Sequence, residues 1–319
     1  MVMRMRRKSA GFRQMSLRAL PERPRLPHSY FDAEPVDIEM DSVPFGRIRV
    51  HYRTAGSGPP LLLVHGLMTT GYSWRYVLAD LAVAFRVIVV DLPGCGRTDG
   101  PVGRRYGSAE LATWIGEFQR AAGIDGCAVV GNSLGGCLVL RRALDAPSSF
   151  SRVAIIHSPV LPEAKHRALH LVLALPGVAS GLAAYVRRSP MRWTHSRTHY
   201  YDETLKSWEE VRAYSESLAH IDGARVFMHY LRDGLRPAAL ADTVQRLRRR
   251  RAAGLGFPVP LLAVYSKEND PMVPPRMGRA LAELVPSARV VWLERASHFV
   301  HVDQPEAVSS LLLDFLTTP

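Results

Sequence analysis

Short runs of aliphatic residues recur along this chain, separated by stretches in which apolar residues return every third or fourth position. Leu61–Val64 and Arg86–Val90 are almost unbroken apolar runs, as are Cys127–Val130 and Val153–Ile156. A strand reads that way when helices cover both of its faces, as in a parallel sheet. Upstream, Val36–Asp41 and Arg47–Arg53 alternate apolar with polar side chains, the pattern of a hairpin with one solvated face. Trp74–Val83 and Ala109–Ala122 carry helical spacing. Strand character stops from about residue 160 to 256 and returns at Val259–Tyr265 and Ala288–Leu293, with helical segments near Pro275–Leu284 and Pro305–Leu316. This alternation predicts an α/β protein: a mostly parallel, eight-stranded sheet, helices on both faces, and a helical insertion after the sixth strand. The expected boundaries are a leader over 1–34, a core built from 35–159 and 257–319, and a helical cap over 160–256.

Within the insertion, Ala168–Val186 is nineteen residues long and holds no formal charge, although Lys165, Arg167, Arg187 and Arg188 flank it. Length alone admits a membrane-spanning helix. Pro176-Gly177, Ser180, Gly181 and His170 interrupt the run, so a broken pair of buried or pocket-lining helices is the preferred reading over a span or a helix dipping into a membrane surface. Leu171, Val172, Leu175, Leu182 and Tyr185 then offer an apolar surface. Leu171 and Leu175 are candidates to line a cleft; packing of the cap onto the core is the alternative.

Composition is ordinary for a folded protein, at 47% hydrophobic and 22% charged residues over 319 positions, which excludes disordered and collagen-like chains. Charge is less ordinary: 41 basic minus 29 acidic residues leaves +12. The first 28 residues hold eight bases (Arg4, Arg6, Arg7, Lys8, Arg13, Arg18, Arg23, Arg25) against Glu22, and only four lysines occur in the whole chain. That skew toward arginine reads as compositional bias. No zinc-finger, basic-zipper or RNA-recognition pattern accompanies it, so no nucleic-acid partner is expected. The leader lacks the apolar run of a secretion signal and is expected to be a disordered basic tail, with a cytoplasmic location by default. Cys95, Cys127 and Cys137 form neither a disulfide framework nor a metal-ligand spacing, so no metal is expected. Without a dinucleotide or phosphate-loop glycine pattern, no cofactor is expected either. The five arginines within Arg246–Arg251 read as a solvated helix end where the cap rejoins the core.

The sharpest chemical signal is Gly131-Asn132-Ser133-Leu134-Gly135, between a predicted strand and a predicted helix over Leu138–Leu144. A G-x-S-x-G in this context puts the serine on a strained turn that exposes its hydroxyl. Glycines on either side let strand and helix pass closely. The helix start presents backbone N–H groups to developing negative charge. A serine hydroxyl needs a base to take its proton. His298, in the loop after the last strand, fills that role, with His301 as a rival. Asp270, in the loop after Val259–Tyr265, is the expected acid that orients the imidazole, with Glu268 as a rival. Cys137 reads as a core residue of the elbow helix. The order serine, aspartate, histidine, with the last two on successive strand ends, differs from both classical serine-protease orders.

These features resemble the α/β-hydrolase fold superfamily from about residue 35 to the C-terminus. Four segments carry the likeness: His65-Gly66-Leu67-Met68, Asp91-Leu92-Pro93-Gly94-Cys95-Gly96-Arg97-Thr98-Asp99, the serine elbow, and the loops holding Asp270 and His298. The resemblance implies an oxyanion hole from the backbone N–H groups of Leu67 and Leu134, with Met68 as the alternative first donor. It implies a structural role for His65 beneath that loop. Met68, Tyr72, Trp74, His157 and Phe299 become candidates for pocket walls, with core packing equally expected for Tyr72 and Trp74. Gly71-Tyr72-Ser73-Trp74-Arg75 and the cap are similar to epoxide hydrolases and haloalkane dehalogenases, whose nucleophile is an aspartate. A serine at the elbow favours acyl transfer at a carbonyl instead. The elbow is also similar to that of carbon–carbon hydrolases of aromatic ring-cleavage products, which carry a glycine-rich oxyanion loop and a Trp after the histidine; here Leu67-Met68 and Phe299 stand at those places. The first expectation is therefore a carboxylester hydrolase acting on small to medium apolar substrates, the second a carbon–carbon hydrolase, and the third a silent binding protein on the same fold. The partner is a small molecule. The sequence carries no signal for an oligomeric state.

Overall fold

The computed structural model describes residues 14–268 and 270–318. Eight strands form one sheet: β1 (Glu34–Ser42), β2 (Gly46–Ala55), β3 (Pro60–Val64), β4 (Arg86–Val90), β5 (Ala128–Asn132), β6 (Val153–Ile156), β7 (Leu261–Ser266) and β8 (Arg289–Leu293). Their spatial order is β1-β2-β4-β3-β5-β6-β7-β8. The first two strands pair antiparallel in register Val36 with Tyr52, β2 meets β4 antiparallel, and every later pairing is parallel. The centre of the sheet is buried on both faces, which the unbroken apolar runs required. Along β3, Leu62 and Val64 face one apolar core while Leu61 and Leu63 face the other.

Helices α1 (Leu78–Ala82), α2 (Ser108–Ala121) and α3 (Leu134–Asp145) lie in the first part of the core. The cap comprises α4 (Ala164–Ala174), α5 (Val178–Arg188), α6 (Pro190–Arg197), α7 (Trp208–Ser215), α8 (Ile221–His229) and α9 (Pro237–Ala252), all between β6 and β7. The chain closes with α10 (Arg276–Leu284), α11 (Val300–Asp303) and α12 (Pro305–Thr317). Leu111, Trp114 and Phe118 of α2 and Leu138 of α3 pack on one face of the sheet; Leu78 and Leu81 of α1 and Val308 and Leu312 of α12 pack on the other. Pro176-Gly177 breaks the apolar run of the cap as expected: α4 and α5 meet at a bend of 99°. Among the described residues no single helix is long and apolar enough to cross a membrane. The arginine run ends α9, with Arg249, Arg250 and Arg251 in its last turn.

Two expectations need correction. The single helix over Trp74–Val83 is replaced by a short 3₁₀ turn at Gly71–Trp74 followed by α1. Thr70 caps that turn by accepting from the Tyr72 N–H, and Asp91 accepts from the Gly71 N–H, so the local side chains favour the tighter turn. The leader is not a free tail from Gln14 onward. Leu20, Tyr30 and Ala33 are buried, and the segment is stitched to the cap by Trp208 N–H to Pro21 O, Glu209 N–H to Glu22 O and Arg25 to Asp202. Arg4, Arg6, Arg7, Lys8 and Arg13 lie outside the described residues.

Candidate active site

β5 enters α3 through Ser133, whose backbone takes φ 52° and ψ −117°. A non-glycine residue in that region costs on the order of 1–3 kcal/mol and persists only where its surroundings hold it. The Ser133 N–H donates to Ile156 O at 2.9 Å, and Asn132 Nδ2 donates to the same carbonyl at 3.1 Å. The flanking glycines are steric necessities. A Cβ on Gly131 would stand 2.6 Å from the Gly135 carbonyl, and one on Gly135 would stand 2.6 Å from His65 O.

The loop after β3 lies directly against this turn, since a Cβ on Gly66 would meet Ser133 Cβ at 3.1 Å. His65 sets its shape. The Leu92 N–H donates to His65 Nε2 at 3.0 Å, which leaves the ring proton on Nδ1 to donate to Gly66 O at 2.8 Å. Thr69 Oγ1 donates to the same carbonyl, and Met68 is held at φ 64°. Leu67 thus lies on a braced loop beside Ser133. Leu134 is the first residue of α3, where the N–H has no intrahelical acceptor.

Asp270 and His298 follow β7 and β8, on the same carboxyl-terminal edge of the sheet. Asp270 is buried, and its Oδ1 accepts from the N–H groups of Met272 at 2.7 Å and Val273 at 2.9 Å. His298 Nδ1 stands 3.8 Å from that oxygen, beyond hydrogen-bond range. Oδ2 is engaged by Nε2 of His199, 3.1 Å away and contributed by the cap. Burial would raise the Asp270 pKa. The His199 hydrogen bond, the neighbouring His298 and His157, and the Val273 N–H outweigh it and hold the carboxyl well below its usual range. Burial pushes His298 down to about 3, against the pull of Asp270.

Both rivals point elsewhere. Glu268 Oε1 accepts from the Arg295 N–H, and His301 lies against the Trp74 ring with centroids 4.5 Å apart. His157 is fully buried at φ 48° after β6, its ring edge-on to His298 at 5.4 Å. Ring nitrogens of His157 and His298 and a carboxylate oxygen of Asp270 lie within 4.8 Å of one another, a spacing that fits a metal ion. However, the Ser266 N–H donates to His157 Nδ1 at 3.1 Å, which places that ring's proton on Nε2 and withdraws it as a ligand.

The other candidates for pocket walls separate. Tyr72 is core: it is buried, donates to Glu209 Oε1 at 2.6 Å and packs among Tyr30, Phe31 and Tyr214. Trp74 is also fully buried. Phe299 joins Tyr200, Leu205 and Val302 in a small cluster beside His298. Leu171 and Leu175 are 60% and 56% exposed on the cap, and it is Leu173 between them that is buried. Leu67 and Met68 pack against the cap cluster of Leu173, Val186, Leu218 and Phe227. The cavity between that cluster and the loop is only about 20 Å³, room for about one water, and Ser133 itself is 5% exposed. His199 had no signal in the sequence; Arg197-Thr198-His199-Tyr200 matches no motif.

The profile of the family described as alpha/beta hydrolase fold matches residues 59–305. The chain belongs to the α/β-hydrolase fold family. Among its relatives, the protein named "Putative carbamate hydrolase RutD" of Azorhizobium caulinodans is 28% identical over 270 residues, covering 85% of this chain and 96% of that one. "Bifunctional epoxide hydrolase 2" of Sus scrofa is 25% identical over 301 residues, covering 85% of this chain and 54% of that one. The solved structure of 2-hydroxy-6-oxo-6-phenylhexa-2,4-dienoate hydrolase from Rhodococcus sp. strain RHA1 superposes with a TM-score of 0.70 at 23% identity, covering 90% of this chain and 100% of that one.

Proposed function

We infer that this α/β-hydrolase family member is a serine hydrolase that cleaves carboxylic esters of small to medium apolar substrates through an acyl-enzyme. The observation that carries the reading is the strained Ser133 at φ 52°, set against the Gly66-Leu67 loop at the sheet edge that also holds Asp270 and His298. Ser133 Oγ attacks the carbonyl carbon while His298 takes its proton. The resulting oxyanion is held by the N–H groups of Leu67 and Leu134. The imidazolium gives that proton to the departing alkoxide, and a water deprotonated by His298 then releases the acid. Asp270 keeps the ring in the tautomer this cycle needs, once His298 Nδ1 closes the 3.8 Å gap.

A serine rather than an aspartate at the elbow supports attack at a carbonyl over alkyl-ester chemistry at an epoxide carbon. Carbamate cleavage, named for one relative, belongs to the same carbonyl class. The apolar cap cluster over Leu67 and Met68 supports an apolar acyl group. A serine-directed fluorophosphonate is expected to label the protein once, and p-nitrophenyl esters of graded chain length to turn over with a maximum at medium length. Labelling that persists in Ser133→Ala removes the assignment. Faster turnover of a ring-cleavage dienone than of any ester replaces ester cleavage with carbon–carbon cleavage.

A further inference from the structure

The outer face of the cap carries a pattern that ordinarily marks a buried helix face. Ala168, Leu171, Val172 and Leu175 follow the i, i+3, i+4, i+7 spacing of a core stripe, yet along α4 and at its C-cap all four are exposed. Of the twelve large apolar residues exposed among the described residues, five (Leu171, Val172, Leu175, Tyr185 and Met191) fall within 171–191. That clustering separates them from the scattered exposed hydrophobics any surface carries. The charges that flank them along the chain have one sign, and the nearest acid from another element, Asp233, faces α4 through His170. From residue 164 to 201 there are six bases (Lys165, Arg167, Arg187, Arg188, Arg192 and Arg197) and no acid. Lys165 is tied to the core through Glu163 and the carbonyls of Pro271 and Met272. Arg167, Arg187, Arg188 and Arg192 are exposed and form no ion pair among the described residues.

We propose that the α4–α5 corner of the cap is a peripheral docking surface for an anionic lipid bilayer. An uncharged apolar stripe bounded by exposed arginines matches the two parts of such an interface, acyl chains for the leucines and phosphate headgroups for the guanidinium groups. A second copy of the chain fits less well, because two such faces would oppose their arginines. The stripe inserts without crossing, since the bend at Pro176-Gly177 divides it into two helices of eleven residues each. The inner side of these helices, through Leu173, Ala183 and Val186, packs in the cluster that touches Leu67 and Met68. Docking therefore acts on the elements that close the serine site and brings that site to a source of apolar substrate. The docking itself is independent of the reaction assigned above.

The test is co-sedimentation of the full chain with vesicles of phosphatidylcholine alone and of phosphatidylcholine with about one third phosphatidylglycerol, at about 0.1 M and 0.5 M salt. Wild type is expected to partition onto the anionic vesicles and to lose part of that binding at high salt. Leu171→Gln/Leu175→Gln is expected to weaken partition about tenfold with an unchanged melting temperature, since both side chains are exposed. Arg187→Gln/Arg188→Gln is expected to reduce the preference for anionic lipid and to leave binding through the leucines in place. The bases of the leader are present in every variant, so the differences read the cap alone. Equal behaviour of wild type and the leucine variant, bound or unbound, overturns the proposal. So does a concentration-dependent dimer that the leucine variant disperses without any vesicle binding, which assigns the face to a second copy. Loss on the arginine change alone overturns the inserted stripe in favour of surface adsorption.

Discussion

His199 of the cap reaches Asp270 Oδ2 at 3.1 Å. The core's own His298 stands 3.8 Å from Oδ1, which already accepts two backbone N–H groups. The two imidazoles therefore share one carboxylate through different oxygens, and of the two it is the cap histidine that lies within hydrogen-bond distance. His199→Ala is expected to raise the rate at which a fluorophosphonate labels Ser133 by about fivefold, the factor equivalent to about 1 kcal/mol of hydrogen-bond competition. Labelling kinetics measure this without knowledge of the substrate. A slower reaction in the variant means that His199 supports the acid instead of diverting it.

Proton linkage gives a second expectation. Burial lowers His298 and His301 from 6.5 to about 3 and His157 to about 4. Below pH 6.5 the unfolded chain binds these three protons and the folded chain does not, so stability is full above pH 6.5 and falls as pH drops toward the folded values. Each proton contributes a slope of about 1.4 kcal/mol per pH unit. Asp303 acts in the opposite sense: burial raises it from 3.8 to about 6, so its protonation favours the folded state as pH falls through that interval. Melting temperatures measured between pH 7 and 4 should therefore decline. They should decline less steeply in His301→Phe, which keeps the stack on Trp74. Parallel curves for the two proteins would exclude His301 as a contributor.

Cap and core are joined by a buried ion pair. Arg75 follows the 3₁₀ turn after β3 and donates to Glu210 Oε2 of α7 at 2.7 Å, and both side chains are almost fully buried. Tyr200 donates its hydroxyl to the same oxygen. Removing one charge strands the other, so Arg75→Leu is expected to cost about 3–5 kcal/mol. Arg75→Leu/Glu210→Leu should recover much of that loss. Denaturant unfolding of the four proteins in the cycle gives the coupling, and additive losses would mean that the pair acts as two independent groups.

Two glycines in helices should respond oppositely to alanine. Gly135→Ala drives a methyl group into the carbonyls of Val64 and His65, and overpacking of this kind costs about 1–3 kcal/mol. Gly181, within α5, has open space where its Cβ would be, so Gly181→Ala is expected to add up to about 1 kcal/mol of stability. Thermal unfolding reads both changes, and equal shifts would contradict the steric account of the elbow.

What was legible in the sequence was what short-range physics dictates. Unbroken aliphatic runs marked β4 and β6 at their observed bounds, because a strand covered on both faces has no polar side to offer. Gly131 and Gly135 around Ser133 marked the elbow, because only hydrogen fits where strand and helix cross. Pro176-Gly177 marked the bend in the cap. What the tertiary structure decided was which partner each side chain meets. The spacing of Leu171 and Leu175 describes an apolar stripe but not its direction, and the packing of α4 turned Leu173 inward and left that stripe in solvent. Tyr72 and Trp74 carried aromatic area without an address, and contacts with Glu209 and His301 placed them in the core. His199 meets Asp270 across 71 residues of chain. No local preference encodes that meeting, because it exists only when the segment between α6 and α7 packs beside the loop after β7.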